Sequence, residues 1–437
     1  MQFLRALAFG ASLTAISYGA VSASDAWQDK VDAATKQVMP TVVELRHHFH
    51  ANPELGNREF KTSAKIAEHL KSLGIEVETG VAHTGIVGTL KGGKPGSVVA
   101  LRADIDGLPV QEKTGLPFAS KVTTMWQGVE TGVMHACGHD AHISILLGVA
   151  EVLAGMRDEI PGTVKFFFQP AEEGAPEGEE GGAELMIKEG VLDGADAPKA
   201  IFGLHVFPGP PGVISYKPEG FLAAADSLYI KIKGVQTHGS MPWGGVDPIA
   251  VSAQVVNGLQ TIVSRQVDIS TAPAVVTVGS INGGNRGNII PEDVTMTGTI
   301  RTFDMAMRDD IHMRIKRTAE KIAESYGAEA EVVITKGYPV TVNDPALTAD
   351  MAPILDRSSA GGKAYVVKPV MGAEDFSFFQ QKIPGLFFGL GVSKANATRA
   401  DMAPNHSPYF YVNDDALPSG VKALSSLALD WLHKNSE

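Results

Sequence analysis

The one cysteine of this chain, Cys137, lies in Met134-His135-Ala136-Cys137-Gly138-His139-Asp140-Ala141-His142, where a thiol, three imidazoles and a carboxylate crowd together. A thiolate and an imidazole two residues apart reach one cation when a tight turn separates them, and Gly138 permits such a turn. Metal binding is the first chemistry that this implies. Two other readings stay open on these residues alone. A lone cysteine is commonly a small buried hydrophobe whose neighbouring histidines cap a helix. A single cysteine near histidine is also a candidate nucleophile, needing one further orienting group. The density of ligand types favours metal over packing, and the nucleophile reading has to account for the remaining acids and histidines.

Those acids and histidines fall at the ends of predicted strands. Residues 97–106 read as a buried strand carrying Asp104 and Asp106 at its end, and 163–170 as another, followed by Glu172 and Glu173. A third, 200–207, carries His205 near its end. Open α/β sheets bind ligands just beyond the carboxyl ends of their strands. A helix beginning near His139 brings Cys137 and His139 to that edge, so one cleft can collect the set. Adjacent side chains after a strand diverge, so one of Glu172 and Glu173 can bind metal while the other handles a proton. Glu177, Glu179 and Glu180, in the glycine-rich stretch that follows, read as a solvated loop. Asp140 and His142 fit either support of the ligands or helix capping and packing.

The elements that must hold these groups form an α/β pattern: a catalytic domain with a mixed sheet flanked by helices. Residues 31–49 read as a helix broken or kinked at Pro40, and 61–73 as a helix stopped at Gly74. Between 220 and 336 the rhythm changes to strand 227–233, helix 247–267, strands 274–281 and 294–303, helix 305–326 and strand 330–336. This βαββαβ order is the ferredoxin-like arrangement. It predicts an inserted domain at 220–336 within a discontinuous catalytic domain of 24–219 and 337–437. Helix 345–357, core strand 386–390 and helix 415–433 complete the latter. The run 283–288 superficially suggests a phosphate loop but lacks the Lys-Ser/Thr ending. Asn396-Ala397-Thr398 and Asn405-His406-Ser407 match the glycosylation sequon, a short and unspecific signal.

Residues 1–23 carry Arg5, an apolar and small-residue run, then Val21-Ser22-Ala23, the pattern of an export signal, so a secreted or periplasmic protein is expected. The formal net charge of −12 argues against nucleic acid and anionic membrane as partners. One cysteine allows no disulfide within the chain, and an unpaired cysteine kept in an oxidising compartment points again to metal.

Seven motifs in order carry a family resemblance: Leu101-Arg102-Ala103-Asp104-Ile105-Asp106-Gly107-Leu108-Pro109, His135-Ala136-Cys137-Gly138-His139-Asp140, Gln169-Pro170-Ala171-Glu172-Glu173-Gly174, His238-Gly239-Ser240-Met241-Pro242, Gly287-Asn288-Ile289-Ile290-Pro291, Gly372-Ala373-Glu374-Asp375-Phe376 and His406-Ser407-Pro408. Together they resemble the M20 metallopeptidase family, and within it the amidohydrolase branch of hippurate hydrolases, N-acyl-amino-acid deacylases and auxin-conjugate hydrolases. The resemblance implies that Cys137, His139, Glu173, His205 and His406 hold two divalent cations, the thiolate standing where other branches have a bridging aspartate. Without it, His406 reads as a surface histidine. Zinc suits thiolate and imidazole best, with manganese, cobalt or nickel as alternatives.

The resemblance also makes Glu172 the general base for a metal-activated water and places Asp106 in support of the ligands. His238 is implied to reach across a homodimer formed by the inserted lid domain to stabilise the oxyanion. Asn288 and Arg301 become substrate-side groups, the guanidinium suited to a carboxylate, and Glu374 joins the cleft without an assigned role. The expected reaction is hydrolysis of N-acyl amino acids or related conjugates, with a dipeptidase or carboxypeptidase of the same family as the alternative. A non-catalytic periplasmic metal- or peptide-binding protein would have no need of Glu172 as a base.

Overall fold

The computed structural model describes residues 23–436, so nearly all of the leader-like segment 1–23 lies outside the described residues. The central strands are apolar along their length because helices cover both faces of their sheet. Strand Pro161–Gln169 shows this in three adjacent side chains. Phe166 and Phe168 point into one apolar cluster and Phe167 into the other, and all three are fully buried.

The sheet has eight strands in the order Glu76–Val81, Gly85–Lys91, Pro161–Gln169, Lys94–Asp104, Ala200–Phe207, Gly385–Gly391, Ile214–Tyr216, Tyr365–Val366. Its middle strands pair in parallel and its first three antiparallel, the mixed sheet expected. The larger cluster lies under helices Ala23–Ala51, Phe60–Ser72, His139–Gly155, Pro345–Ser358 and Leu417–Lys434. The smaller one lies under the short helices Gly182–Lys188 and Phe376–Gln380.

Helix Ala23–Ala51 runs through Pro40 without the expected break. Val31, Val38, Val42, Leu45 and Phe49 pack it against His139–Gly155 and Leu417–Lys434, and that burial holds the helix across the missing amide bond. Helix His139–Gly155 is buried on nearly every side, as its apolar sequence requires.

The second sheet is antiparallel, in the order Ala274–Gly283, Asp293–Thr302, Ala224–Lys233, Glu329–Lys336, the ferredoxin-like order for βαββαβ. Helices Pro248–Thr261 and Met305–Ser325 cover one face. Each starts at an aspartate cap: Asp247 accepts from the amides of Ile249 and Ala250, and Asp304 from that of Met307. The first ends at Thr261, short of the expected 267, in a single wide turn Ile262–Gln266. The chain's two crossings between the sheets lie side by side, because Glu219–Leu222 pairs antiparallel with Thr341–Asn343.

Candidate metal centre

Strand ends and one helix start meet at the edge of the large sheet. Before helix His139–Gly155, Gly138 has a φ of +93°, and a β-carbon there would sit 2.3 Å from Val206 Cγ2. Only glycine lets the chain turn from Cys137 into the helix at this spacing. Cys137 Sγ lies 3.3 Å from Nε2 of His205, on strand Ala200–Phe207.

Both imidazoles are oriented through Nδ1. His205 Nδ1 donates to the Val206 carbonyl at 2.8 Å, and His139 Nδ1 to the Asp106 carbonyl at 2.9 Å, with Asp106 Oδ1 at 3.1 Å. A carbonyl only accepts, so each Nδ1 carries the proton and each Nε2 keeps a lone pair for a cation. His139 Nε2 is indeed buried with no hydrogen-bond partner among the described residues, and Glu172 Oε2 lies 3.9 Å away. The other Asp106 oxygen accepts the Glu173 amide at 3.0 Å, so one carboxylate fixes two prospective ligands.

Glu173 Oε1 lies 2.9 Å from His406 Nε2, yet it is buried with no aligned hydrogen bond among the described residues. Two donors turned toward a common third atom have this geometry. His406 has a left-handed backbone (φ +68°) and its amide donates to the Ala136 carbonyl at 2.8 Å. Beside it, Asn405 Nδ2 donates to the carbonyls of Cys137 and Val206 at 3.1 and 3.0 Å. The donor atoms of Cys137, His139 and His205 lie within 4.8 Å of one another, as do those of Cys137, Glu173 and His406. The shared sulfur makes these residues fit a pair of neighbouring cations.

The electrostatics require positive charge here. Burial, then the carboxylates of Glu173, Glu172 and Asp104, push the Cys137 thiol well above its ordinary pKa. Nucleophilic thiols occupy electropositive surroundings, so these carboxylates remove the nucleophilic-cysteine reading. Burial alone would lower the pKa of His139, but Asp104 and Asp106 overcome it and hold it at about 10, so a cation bound there replaces a proton.

Glu172 is buried, lines the cleft, and its carboxylate comes within 3.9 Å of His139 Nε2. Burial first, then Glu374 and Glu173, raise its pKa well above the carboxylate range. Behind it, fully buried Arg102 pairs with Asp104 at 2.7 Å and with Glu374 and Asp375 at 2.8 Å. The cleft, about 590 Å³, has Cys137, Glu172, His205 and His406 on one wall and Ser227, Thr299 and Arg301 of the second sheet on the other. Half-buried Arg301 has no ion pair within 4 Å among the described residues, and burial lowers its pKa.

A family model for Peptidase family M20/M25/M40 matches residues 100–430. The chain belongs to this family. It is 40% identical over 409 residues to thermostable carboxypeptidase 2 of Saccharolobus solfataricus, covering 93% of this chain and 99% of that protein. It is 36% identical to N-acetyl-L-cysteine deacetylase of Bacillus subtilis, covering 91% and 89%. Among solved structures, a Bacillus subtilis dinuclear metal binding peptidase from the M20 family superposes with a TM-score of 0.75 at 35% identity, covering 91% of this chain and 99% of that one.

In this M20 chain the structure brings together Cys137, His139, Glu173, His205, His406, Glu172 and Asp106, with Arg301 across the cleft. It does not bring His238 or Asn288 to the chain's own cleft. Both are exposed on a small ribbon, Thr237–His238 with Ile289–Ile290, where the Gly239 amide donates to the Asn288 carbonyl at 2.8 Å. His142 spends both ring nitrogens, on Asp104 at 2.6 Å and on the Val206 amide at 2.9 Å, so it supports rather than ligates. Asp140 is turned to His50 and Arg46. Buried His135, neither of whose ring nitrogens has a hydrogen-bond partner among the described residues, joins no ligand group among them.

Arg102, Asn405 and Tyr338 adjoin the candidate site without having been singled out from sequence. Tyr338 donates its hydroxyl to the Glu172 carbonyl at 2.5 Å. Asn405 stood out only as part of a sequon; its position beside His406 was the available signal.

Proposed function

We propose that this M20 hydrolase cleaves the amide bond of N-acyl amino acids or related conjugates, releasing the acyl group as a carboxylic acid together with the free amino acid. Glu172 carries the reading: a buried carboxyl group of raised pKa opens on the cleft beside two donor triads. Cations held by Cys137, His139, His205, Glu173 and His406 supply polarisation of the amide carbonyl and activation of water when bound. Zinc suits these donors best, with manganese, cobalt or nickel as alternatives.

Glu172 accepts the proton of the attacking water and returns it to the leaving amine. Asp106 keeps the His139 ring and the Glu173 amide in place. Arg301 grips the carboxylate of the amino-acid part. His238 and Asn288 serve the cleft of a second copy in a dimer formed through the inserted domain 220–336, and the leader 1–23 exports the protein to the periplasm or beyond. Small N-acyl amino acids as substrates agree with the 36% identical relative named for N-acetyl-L-cysteine deacetylation. The 40% identity to a carboxypeptidase favours a second reading, cleavage of peptides at their carboxyl end.

The test is hydrolysis of acetyl-, benzoyl- and peptidyl-amino acids before and after chelation, with metal analysis. Acetyl or benzoyl substrates should be preferred and chelation should abolish turnover. Preference for peptidyl substrates would transfer the assignment to the second reading. Glu172→Gln should lose about 10²- to 10⁴-fold in rate with its metal content intact; metal loss would show that Glu172 is a ligand instead.

A further inference from the structure

We infer that Glu59 is a positioning residue for the catalytic turn, its buried carboxylate holding Ala171 in a left-handed conformation and thereby aiming Glu172 and Glu173. The inference rests on the roles proposed above for those two residues. Ala171, immediately before them, has a φ of +51°. A residue with a β-carbon rarely stays there unless its surroundings hold it. The amide of Ala171 donates to Glu59 Oε1 at 2.9 Å, and Thr84 Oγ1 donates to Glu59 Oε2 at 2.5 Å. Glu59 is 0% exposed and belongs to none of the donor groups that could hold metal among the described residues. Burying a carboxylate is unfavourable, and here both oxygens are committed, one of them to the backbone of the turn.

The segment around Glu59 is shaped to the same turn. A β-carbon at Gly56 would stand 3.1 Å from the Gly174 carbonyl oxygen and 3.2 Å from Ala171 Cα, so backbone presses on backbone across the two segments. Asn57 Nδ2 donates to the Glu180 carbonyl at 3.0 Å, holding the far end of the loop that leaves the turn. Glu54 Oε2 accepts the amides of Lys61 and Thr62 at 2.9 and 2.8 Å and anchors the start of helix Phe60–Ser72. Glu173 is two residues beyond Ala171, so a backbone rotation there swings a prospective metal ligand and the base together.

The experiment compares Glu59→Leu, Glu59→Gln, Ala171→Gly, Glu59→Leu with Ala171→Gly, and Thr84→Val. Each is read by kinetics on an N-acetyl amino acid, calorimetric titration of the metal-free protein with zinc, and thermal unfolding. Glu59→Leu should lower kcat by about tenfold or more with KM little changed, and weaken zinc binding by about tenfold. Glu59→Gln keeps an acceptor for the Ala171 amide and should restore most of both. Glycine takes the left-handed conformation freely, so Ala171→Gly should recover part of the loss in the Glu59→Leu background.

The inference is overturned if Glu59→Leu lowers thermal stability but leaves kcat and zinc affinity within about twofold, or if neither glycine at 171 nor glutamine at 59 restores them. Should Glu59→Leu fail to fold, Thr84→Val decides. It keeps the carboxylate but removes the hydroxyl that orients it, and a loss in the same direction is expected where an unchanged enzyme would refute. A wild-type protein inert toward every N-acyl amino acid would defeat the proposed function while zinc titration still reads the role of Glu59.

Discussion

A thiol wedged among carboxylates ionises only when cations share the site. Cys137 is the donor common to both triads, and Glu173, Glu172 and Asp104 all oppose its ionisation. Cys137→Ala is therefore expected to empty both metal positions rather than one, with activity falling by at least about a hundredfold. Metal content by mass spectrometry beside the hydrolysis rate checks this, and retention of one full metal equivalent would contradict a shared sulfur. Five residues of this site were legible without a family: Cys137, His139, Glu172, Glu173 and His205 stand close to predicted strand ends or a helix start. His406 and Asn405 were not, because their contact with the Cys137 segment spans 268 residues of chain and no local pattern records it. Arg102 hid for another reason: an arginine within an apolar strand shows its purpose only when the facing acids, two of them near residue 375, are folded onto it.

At the scale of elements, the metal-site helix His139–Gly155 is fastened to helix Ala23–Ala51 by buried charge. Arg46 reaches Asp140 at 3.4 Å and Asp414 at 2.5 Å, and His50 bridges Asp140 at 2.9 Å and Glu112 at 3.1 Å. Burial alone would depress the His50 pKa, but the Asp140 and Glu112 carboxylates raise it from 6.5 to about 9. A histidine raised on folding contributes fully below pH 6.5 and loses that contribution as pH climbs through about 9. The contribution is roughly 3 kcal/mol at most. His50→Gln should thus unfold at lower temperature than the wild type at pH 6, with the gap narrowing between pH 6.5 and about 9 and its charge-dependent part gone above that; a gap independent of pH would remove the charged His50. The long helices were legible from their sequence pattern, and the central strands from their apolar runs, whereas the short helices Gly182–Lys188 and Phe376–Gln380 hold too few residues to show a period. The edge strand Glu76–Val81 and the hairpin Thr123–Trp126 with Val129–Gly132 were not, since they are mostly exposed and carry too little apolar pattern to register.

At the scale of the whole molecule, the cleft exists only because two sheets face each other across it. The strand and helix order of the second sheet was legible from its βαββαβ rhythm, whereas the orientation of that sheet toward the metal centre depends on the paired crossings Glu219–Leu222 and Thr341–Asn343. Those crossings place Arg301 opposite Cys137 and Glu172, half-buried and without an ion pair among the described residues. A guanidinium left unpaired in a cleft is set to bind an anion brought by the substrate, and the carboxylate of an N-acyl amino acid supplies one. Arg301→Gln should then raise KM for N-acetyl amino acids by about tenfold to a hundredfold, the range of a charge-assisted hydrogen bond. The same change should leave KM for the corresponding N-acetyl amino-acid amides, which lack the anion, nearly unaltered. Because Arg301 lies outside both donor triads, metal content should not change. Equal losses on carboxylate and amide substrates would mean that Arg301 shapes the cleft wall without reading the substrate's charge.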